Sequence, residues 1–235
     1  MTDHRWRSAG LAADRDGVWA IVVAGGAGAR FGGGIAKQYL PLGDARVVDR
    51  SLSLMRSVCG DRLVLVVAPE RVGDHGTDAP FVVAGGATRS ESVRAGLAAV
   101  GPEAEIILVH DAARPLVPGA VLFRLLAAID AGADAAVPGL ALTDTVKRVD
   151  ATGLVLETPD RAALMAVQTP QAFRADVLRR VHAAGGDATD DAALVEASGG
   201  RVVVVPGHPL ARKVTTDEDL TWLRAQLDTI NERDR

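Results

Sequence analysis

Val18-Trp19-Ala20-Ile21-Val22-Val23-Ala24-Gly25-Gly26-Ala27-Gly28-Ala29-Arg30-Phe31-Gly32 is an apolar run that breaks into glycines, with Lys37 a few residues on. An apolar run of strand length without alternation is a strand covered on both faces, the habit of parallel sheets. Glycines directly after such a strand let the backbone approach a phosphate or a base, and their N–H groups can form an anion nest. Two familiar cradles fail here. Gly26-Ala27-Gly28 begins a GxGxxG pattern, but Phe31 stands at the third glycine position, and no Gly-Lys-Ser/Thr follows at the Walker spacing. The segment adds instead Arg30 and Lys37, suited to neutralising a triphosphate while its α-phosphorus is attacked.

Similar apolar runs recur at Leu63–Ala68, Phe81–Ala84, Ile106–Val109, Ala133–Pro138, Met165–Gln168 and Val202–Val205, with helix-period segments between them. That alternation predicts an α/β fold: a Rossmann-like, mostly parallel twisted sheet with helices on both faces. Thr88-Arg89-Ser90-Glu91 and Thr216-Asp217-Glu218-Asp219 read as helix-starting capping boxes, and Pro118 as a first helical residue. Sheets of this kind bind ligands at the carboxyl ends of their strands, so a nucleotide is the leading ligand. One segment breaks the pattern. Between Leu140 and Ala163, Thr145–Val149 and Leu154–Leu156 flank Asp150-Ala151-Thr152-Gly153, which has hairpin-turn chemistry. A lone hairpin is marginal, so residues 140–163 are expected to protrude as an arm onto a second subunit, or else to lie as an antiparallel flap on the same sheet.

Composition narrows the class. The 235 residues are 48% hydrophobic and 24% charged, enough for a sizeable core, and a single domain over 17–235 is expected after a tail at 1–16. A net charge of -4 and 3% aromatic residues argue against nucleic acid as a partner. No apolar run is long enough to cross a bilayer, so no membrane association is expected. One cysteine, Cys59, and scattered histidines offer neither a disulfide nor a zinc spacing, and a reducing cytoplasm is the expected setting. Of the 26 basic residues only Lys37, Lys147 and Lys213 are lysines, which marks them as candidates for places that need a compact ammonium.

The run ending at Val109 delivers His110-Asp111-Ala112-Ala113-Arg114-Pro115. An acid and a base at a buried strand's end sit where ligands bind: Asp111 can hold magnesium or a hydroxyl, and Arg114 a phosphate. The plainer alternative is that the two pair with each other.

Ala24 to Phe31 with Lys37-Gln38-Tyr39-Leu40, Gly85 to Val93, His110 to Pro115, Asp144-Thr145-Val146-Lys147, Gln168-Thr169-Pro170-Gln171, Thr189-Asp190-Asp191 and Lys213-Val214-Thr215 together resemble, in order, the 2-C-methyl-D-erythritol 4-phosphate cytidylyltransferase family, over roughly residues 17 to 230. The resemblance implies transfer of CMP from CTP to methylerythritol 4-phosphate, with magnesium, by a homodimer whose hairpin arms embrace. It implies catalytic roles for Arg30, Lys37 and Lys213, and a nucleotide pocket lined by Ala24, Gly25, Gly26, Gly28, Gly86, Ala87, Arg89, Ser92 and Ala112. It further implies acceptor binding by Asp111, Arg114, Thr169 and Thr189, with Thr145 and Arg161 of the arm reaching the partner's site. The chain departs from the family's pattern at Ala36, where a proline is usual, in the extra glycines Gly32-Gly33-Gly34, and at Ala87, often acidic or polar. Two rival expectations remain: a ribitol 5-phosphate cytidylyltransferase with the same fold and nucleotide, and a non-catalytic module that senses CTP.

Overall fold

The structure, a computed structural model, describes residues 14–25, 36–73 and 76–233. Its elements in chain order are β1 (Val18–Ala24), β2 (Pro41–Leu42), β3 (Ala45–Arg46), α1 (Val47–Cys59), β4 (Leu63–Val67), β5 (Phe81–Ala84), α2 (Arg89–Ala98), β6 (Ile106–Asp111) and α3 (Gly119–Asp130). There follow β7 (Ala135–Ala141), β8 (Arg148–Val149), β9 (Val155–Glu157), β10 (Met165–Val167), β11 (Gln171–Arg174), α4 (Ala175–Ala183), α5 (Asp191–Ala197), β12 (Val202–Pro206) and α6 (Asp217–Arg233).

β1 lies between β4 and β6, parallel to both, and β5 extends the sheet beyond β4 in the same sense. The chain thus builds outward on one side of β1 and then returns to the other, which makes the carboxyl ends of β1 and β6 a topological switch point where such folds bind ligands. β11 runs antiparallel between β6 and β7. β12 pairs in parallel with Ala135–Gly139 of β7, so it takes one edge of that strand while β10 and β11 share the other end to end.

Alternate residues of β1 explain its unbroken apolar sequence. Val18, Ala20, Val22 and Ala24 join a core with Val48, Leu52 and Met55 of α1 and Val121, Leu122 and Leu125 of α3. Trp19 and Ile21 join a second core on the opposite face with Val93 of α2, Leu178 of α4 and Val195 of α5. The expected runs at residues 18–24 and 81–84 match their strands end to end, and the others differ by a few residues at their ends. β11 has no counterpart among the expected strands. It is four residues long, begins and ends on polar side chains and follows Pro170, so nothing local marks it, although Phe173 is fully buried at its centre.

Both capping boxes form. The Thr88 hydroxyl accepts from the Glu91 N–H at 3.1 Å and the Glu91 carboxylate from the Thr88 N–H at 3.1 Å, and Thr216 and Asp219 repeat the exchange at 3.3 and 3.0 Å. Pro118 caps α3 one residue before the expected position. Of the expected tail, residues 1–13 lie outside the described residues; the rest is fastened, with Arg15 forked onto Asp130 at 2.7 and 2.8 Å and Asp14 paired to Arg62. The arm forms its hairpin from β8 and β9 as a separate two-stranded sheet, not as a flap on the main one. At its tip Asp150 Oδ1 accepts from the N–H groups of Thr152 and Leu154 and from the Thr152 hydroxyl, while Gly153 takes φ +88°, which glycine adopts without strain.

Candidate active site

The register of the sheet brings the two sequence signatures side by side. Val23 of β1 lies opposite Asp111 of β6, and the Ala112 N–H continues the ladder by donating to the Val23 carbonyl at 3.0 Å. Beyond β1, residues 26–35 lie outside the described residues, and with them Gly26, Gly28 and Arg30. Where the chain is described again, Gln38 Nε2 donates to the Ala24 carbonyl at 2.6 Å, which fastens the single turn carrying Lys37 to the end of β1. On the β5 side, the Ser92 hydroxyl accepts from the Gly86 N–H at 3.2 Å and donates to the Thr88 carbonyl at 3.0 Å. Ser92 is therefore a brace of the Gly86-Ala87 turn. A Cβ on Gly86 would stand 2.3 Å from Glu91 Cβ, so only glycine lets the chain pass there.

A cleft of about 220 Å³ opens beside the end of β6, lined by the expected acceptor residues Asp111, Arg114, Thr169 and Thr189, by Lys213, expected as catalytic, by Arg89, expected in the nucleotide pocket but here beside Asp111, and by the unexpected Val167, Gln168, Gln171 and Asp190. Asp111 is its centre. Lys213 Nζ donates to Asp111 Oδ2 at 2.7 Å and Arg89 Nε stands 3.5 Å from Oδ1. Asp111 therefore pairs with these two rather than with Arg114, whose Nη1 donates to the Ala211 carbonyl at 2.7 Å. Burial alone would raise the Asp111 pKa; Lys213 and Arg89 outweigh it and hold the group at about 2.

Beneath Asp111 runs a line of fixed donors and acceptors. The Asp111 N–H donates to Thr169 Oγ1 at 3.0 Å, so the Thr169 hydroxyl proton goes to His110 Nδ1 at 3.2 Å. That assigns His110 the tautomer protonated at Nε2, which donates to the Arg114 carbonyl at 3.2 Å. Burial pushes the His110 pKa down to about 4 and keeps the ring neutral. Behind Arg89, Asp191 is fully buried and accepts from Arg89 Nη1 at 2.6 Å and from His182 Nε2 at 2.9 Å. Burial raises the Asp191 pKa, but the His182 hydrogen bond and the Arg89 charge more than reverse this. Sequence reasoning misses Asp191 because an acidic residue opening a helix reads as a cap; its only signal is its place in Thr189-Asp190-Asp191.

Thr145 and Arg161 sit on the arm and do not line the cleft; Arg161 Nη1 donates to the Thr143 carbonyl at 2.5 Å. Lys147 Nζ donates to the Thr158 hydroxyl at 2.8 Å, so this scarce lysine ties the hairpin's two sides. No three carboxylate, histidine or cysteine side chains converge as a metal site among the described residues. Asp111 faces a cation at each oxygen, and Asp190 accepts from Gln171 Nε2 at 2.8 Å and the Ala193 N–H at 3.0 Å. Neither carboxylate fits a resident magnesium ion in this arrangement. Arg89 Nη2, Arg114 Nε and Gln171 Oε1 are buried in the cleft wall with no hydrogen-bond partner. Three cations around one carboxylate, with donors unmet, suit a phosphorylated polyol: hydroxyls for Asp111, phosphate oxygens for the cations.

The model of the family 2-C-methyl-D-erythritol 4-phosphate cytidylyltransferase (IspD) matches residues 18–229. A protein of that name from Nocardia farcinica is 48% identical over 223 residues, covering 92% of this chain and 96% of its own length. Another from Rhodococcus jostii is 45% identical over 216 residues, with 90% and 95% covered. The crystal structure of the Thermus thermophilus protein of that name superposes with a TM-score of 0.74 at 31% identity, covering 89% of this chain and 98% of that one.

Proposed function

The chain belongs to the 2-C-methyl-D-erythritol 4-phosphate cytidylyltransferase family, and from that premise we propose how its residues divide the reaction. The protein is a cytidylyltransferase of non-mevalonate isoprenoid biosynthesis: it transfers CMP from CTP to 2-C-methyl-D-erythritol 4-phosphate, giving 4-diphosphocytidyl-2-C-methyl-D-erythritol and pyrophosphate. The observation that carries the division of roles is the cluster of Lys213, Arg89 and Arg114 about Asp111 at the switch point.

In this reading CTP lies over the ends of β1 and β5, against Ala24, Gly25, Gly86, Ala87 and Ala112, with Lys37 and Arg30 on the triphosphate. The acceptor occupies the cleft, its hydroxyls toward Asp111 and its phosphate toward Lys213 and Arg114, with Thr189 at the rim. An acceptor phosphate oxygen attacks the α-phosphorus in line. A new P–O bond forms, the bond from the α-phosphorus to the bridging oxygen breaks, and pyrophosphate leaves with that electron pair. The attacking oxygen is already ionised near neutral pH, so no general base is required, and catalysis rests on position and on cations around the five-coordinate phosphorus. The cleft's carboxylates, one beside Lys213 and Arg89 and the other accepting from Gln171, would not hold magnesium themselves; an ion bound with the nucleotide would supply further positive charge to the reacting phosphates.

A homodimer accounts for the arm. Val149, Leu154, Val155 and Leu156 are about half exposed or more, and an apolar groove of about 510 Å³ runs between Gly139–Ala141, Met165 and Val204–Gly207. Docking against a second copy would cover this surface and bring Thr145 and Arg161 to the partner's cleft. A single, buried, free Cys59 fits a reducing, cytoplasmic setting, and no helix among the described residues is long and apolar enough to cross a membrane. The test is pyrophosphate release with magnesium and CTP, offering methylerythritol 4-phosphate and ribitol 5-phosphate in parallel. Turnover with the first alone is expected. Turnover with ribitol phosphate would change the acceptor, and CTP binding without turnover would make the protein a sensor; the names of the relatives favour neither.

A further inference from the structure

The cleft's charges continue inward beyond anything the reaction touches. His182 of α4, Asp191 of α5, Arg89 of α2, Asp111 of β6 and Lys213 form one line, with contacts of 2.9, 2.6, 3.5 and 2.7 Å. Arg89 is the hinge of that line, because its guanidinium spans two carboxylates at once, one buried and one in the cleft.

Arg89 is poorly placed for stability alone. It is the first residue of α2, where the helix dipole disfavours a cation. Taking Arg89 and Asp191 out of water also costs desolvation, and an apolar pair of similar volume would hold α2 to α5 at least as well. What the ion pair gives that an apolar pair does not is direction. Asp191 Oδ2 takes Nη1 and so turns Nε toward Asp111 at 3.5 Å, longer than a full hydrogen bond. Arg89 is thus held near Asp111 without closing on it.

We propose that Asp191 is a positioning residue for the acceptor: through Arg89 it keeps the Asp111 carboxylate open at the cleft wall. The inference rests on the reading above that Asp111 binds the acceptor. Without the Asp191 charge, Arg89 swings wholly onto Asp111 and occupies the oxygen that an acceptor hydroxyl needs, while the nucleotide site at the ends of β1 and β5 keeps its shape.

Asp191→Asn preserves shape and removes the charge. Steady-state kinetics with each substrate varied should show the KM for methylerythritol 4-phosphate rising about tenfold or more with that for CTP within about twofold of wild type. Arg89→Lys keeps the charge but cannot span both carboxylates, so it should show the same split, and Asp191→Asn added to it should raise the acceptor KM no further. Equal rises in both KM values, an unchanged acceptor KM, or additive effects in the double variant would overturn the proposal. Should Asp191→Asn fail to fold, Arg89→Lys decides alone: a selective rise supports the proposal, and an unchanged acceptor KM overturns it. Asp111→Asn separates the two levels. If it raises the acceptor KM while Asp191→Asn does not, the inference fails alone; if it leaves the acceptor KM at the wild-type value, the site reading fails and takes the inference with it.

Discussion

In the cleft, Asp111 is reached by Lys213 from a loop, by Arg89 from α2 and, through its own N–H, by Thr169 from the strand connection. In the arm, Lys147 meets Thr158, Arg148 meets Glu157 at 2.9 Å and Arg161 meets Thr143, so these polar contacts stay inside one hairpin. The cleft draws on residues far apart in sequence and buries them; the arm draws on neighbours and exposes its leucines. The difference teaches which parts one chain completes alone. The charge network about Asp111 is braced within the protomer, whereas an arm with apolar faces turned outward is half of something.

The sharpest way to break this contrast is to remove a cleft cation. Lys213→Ala should lower kcat/KM by two orders of magnitude or more, the ~2.7 to 4 kcal/mol typical of losing one stabiliser of developing charge, in a chain that still folds but with a lower unfolding midpoint, because buried Asp111 loses its ion-pair partner. Near-wild-type turnover would end its assigned role. Lys37→Ala should lose activity alike.

The next largest effect belongs to the arm. Leu154→Asp with Leu156→Asp places charge on exposed apolar positions, so each chain should fold normally yet sediment as a monomer, with activity down about tenfold. Sedimentation and kinetics on one sample decide it: a fully active monomer would show that the arm contributes nothing to the partner's site.

Acid separates the two regions through stability rather than turnover. His110 titrates at about 4 when folded against about 6.5 unfolded, so the unfolded chain binds the extra proton and stability falls as pH drops between those values. The fall is on the order of 3 kcal/mol. Asp111, at about 2 folded against 3.8 unfolded, carries the loss on as pH falls from about 4 to 2. Urea unfolding of His110→Gln should flatten the slope in the upper window and leave the lower one; an unchanged upper slope would show that His110 is not its source. The smallest effect is at the arm's tip. A Cβ on Gly153 meets no atom within 4 Å, so Gly153→Ala should cost only the left-handed backbone, about 1 kcal/mol, read as a modest weakening of the dimer.

The same contrast explains what can be read in advance. The parallel strands are legible because burial on both faces leaves an unbroken apolar record, as in β1 and β4. The hairpin is legible because Asp150 and Gly153 carry turn chemistry that needs no other part of the chain. β11 is not, since its burial comes from β6 and β7 on either side and leaves only Ala172 and Phe173 as a trace. Within the cleft, the family resemblance gives Asp111, Arg114 and Lys213 roles, whereas Gln171 and Asp191 stand in its motifs without one. Their importance lies in which distant side chain each one faces, and no local pattern encodes that.

The arm returns to the sheet through β10, and the chain passes directly from Met165 through Val167, Gln168 and Thr169 to Gln171, four of which line the cleft. Tolerance to inserted residues should therefore change sharply within about twenty positions. A residue added among 150–153 lengthens an exposed turn and disturbs little. One added between Thr169 and Gln171 would shift the strand's alternation and turn Phe173 out of the core, so a scan of single-residue insertions along 148–174 should show growth complementation surviving at the tip and vanishing at the return.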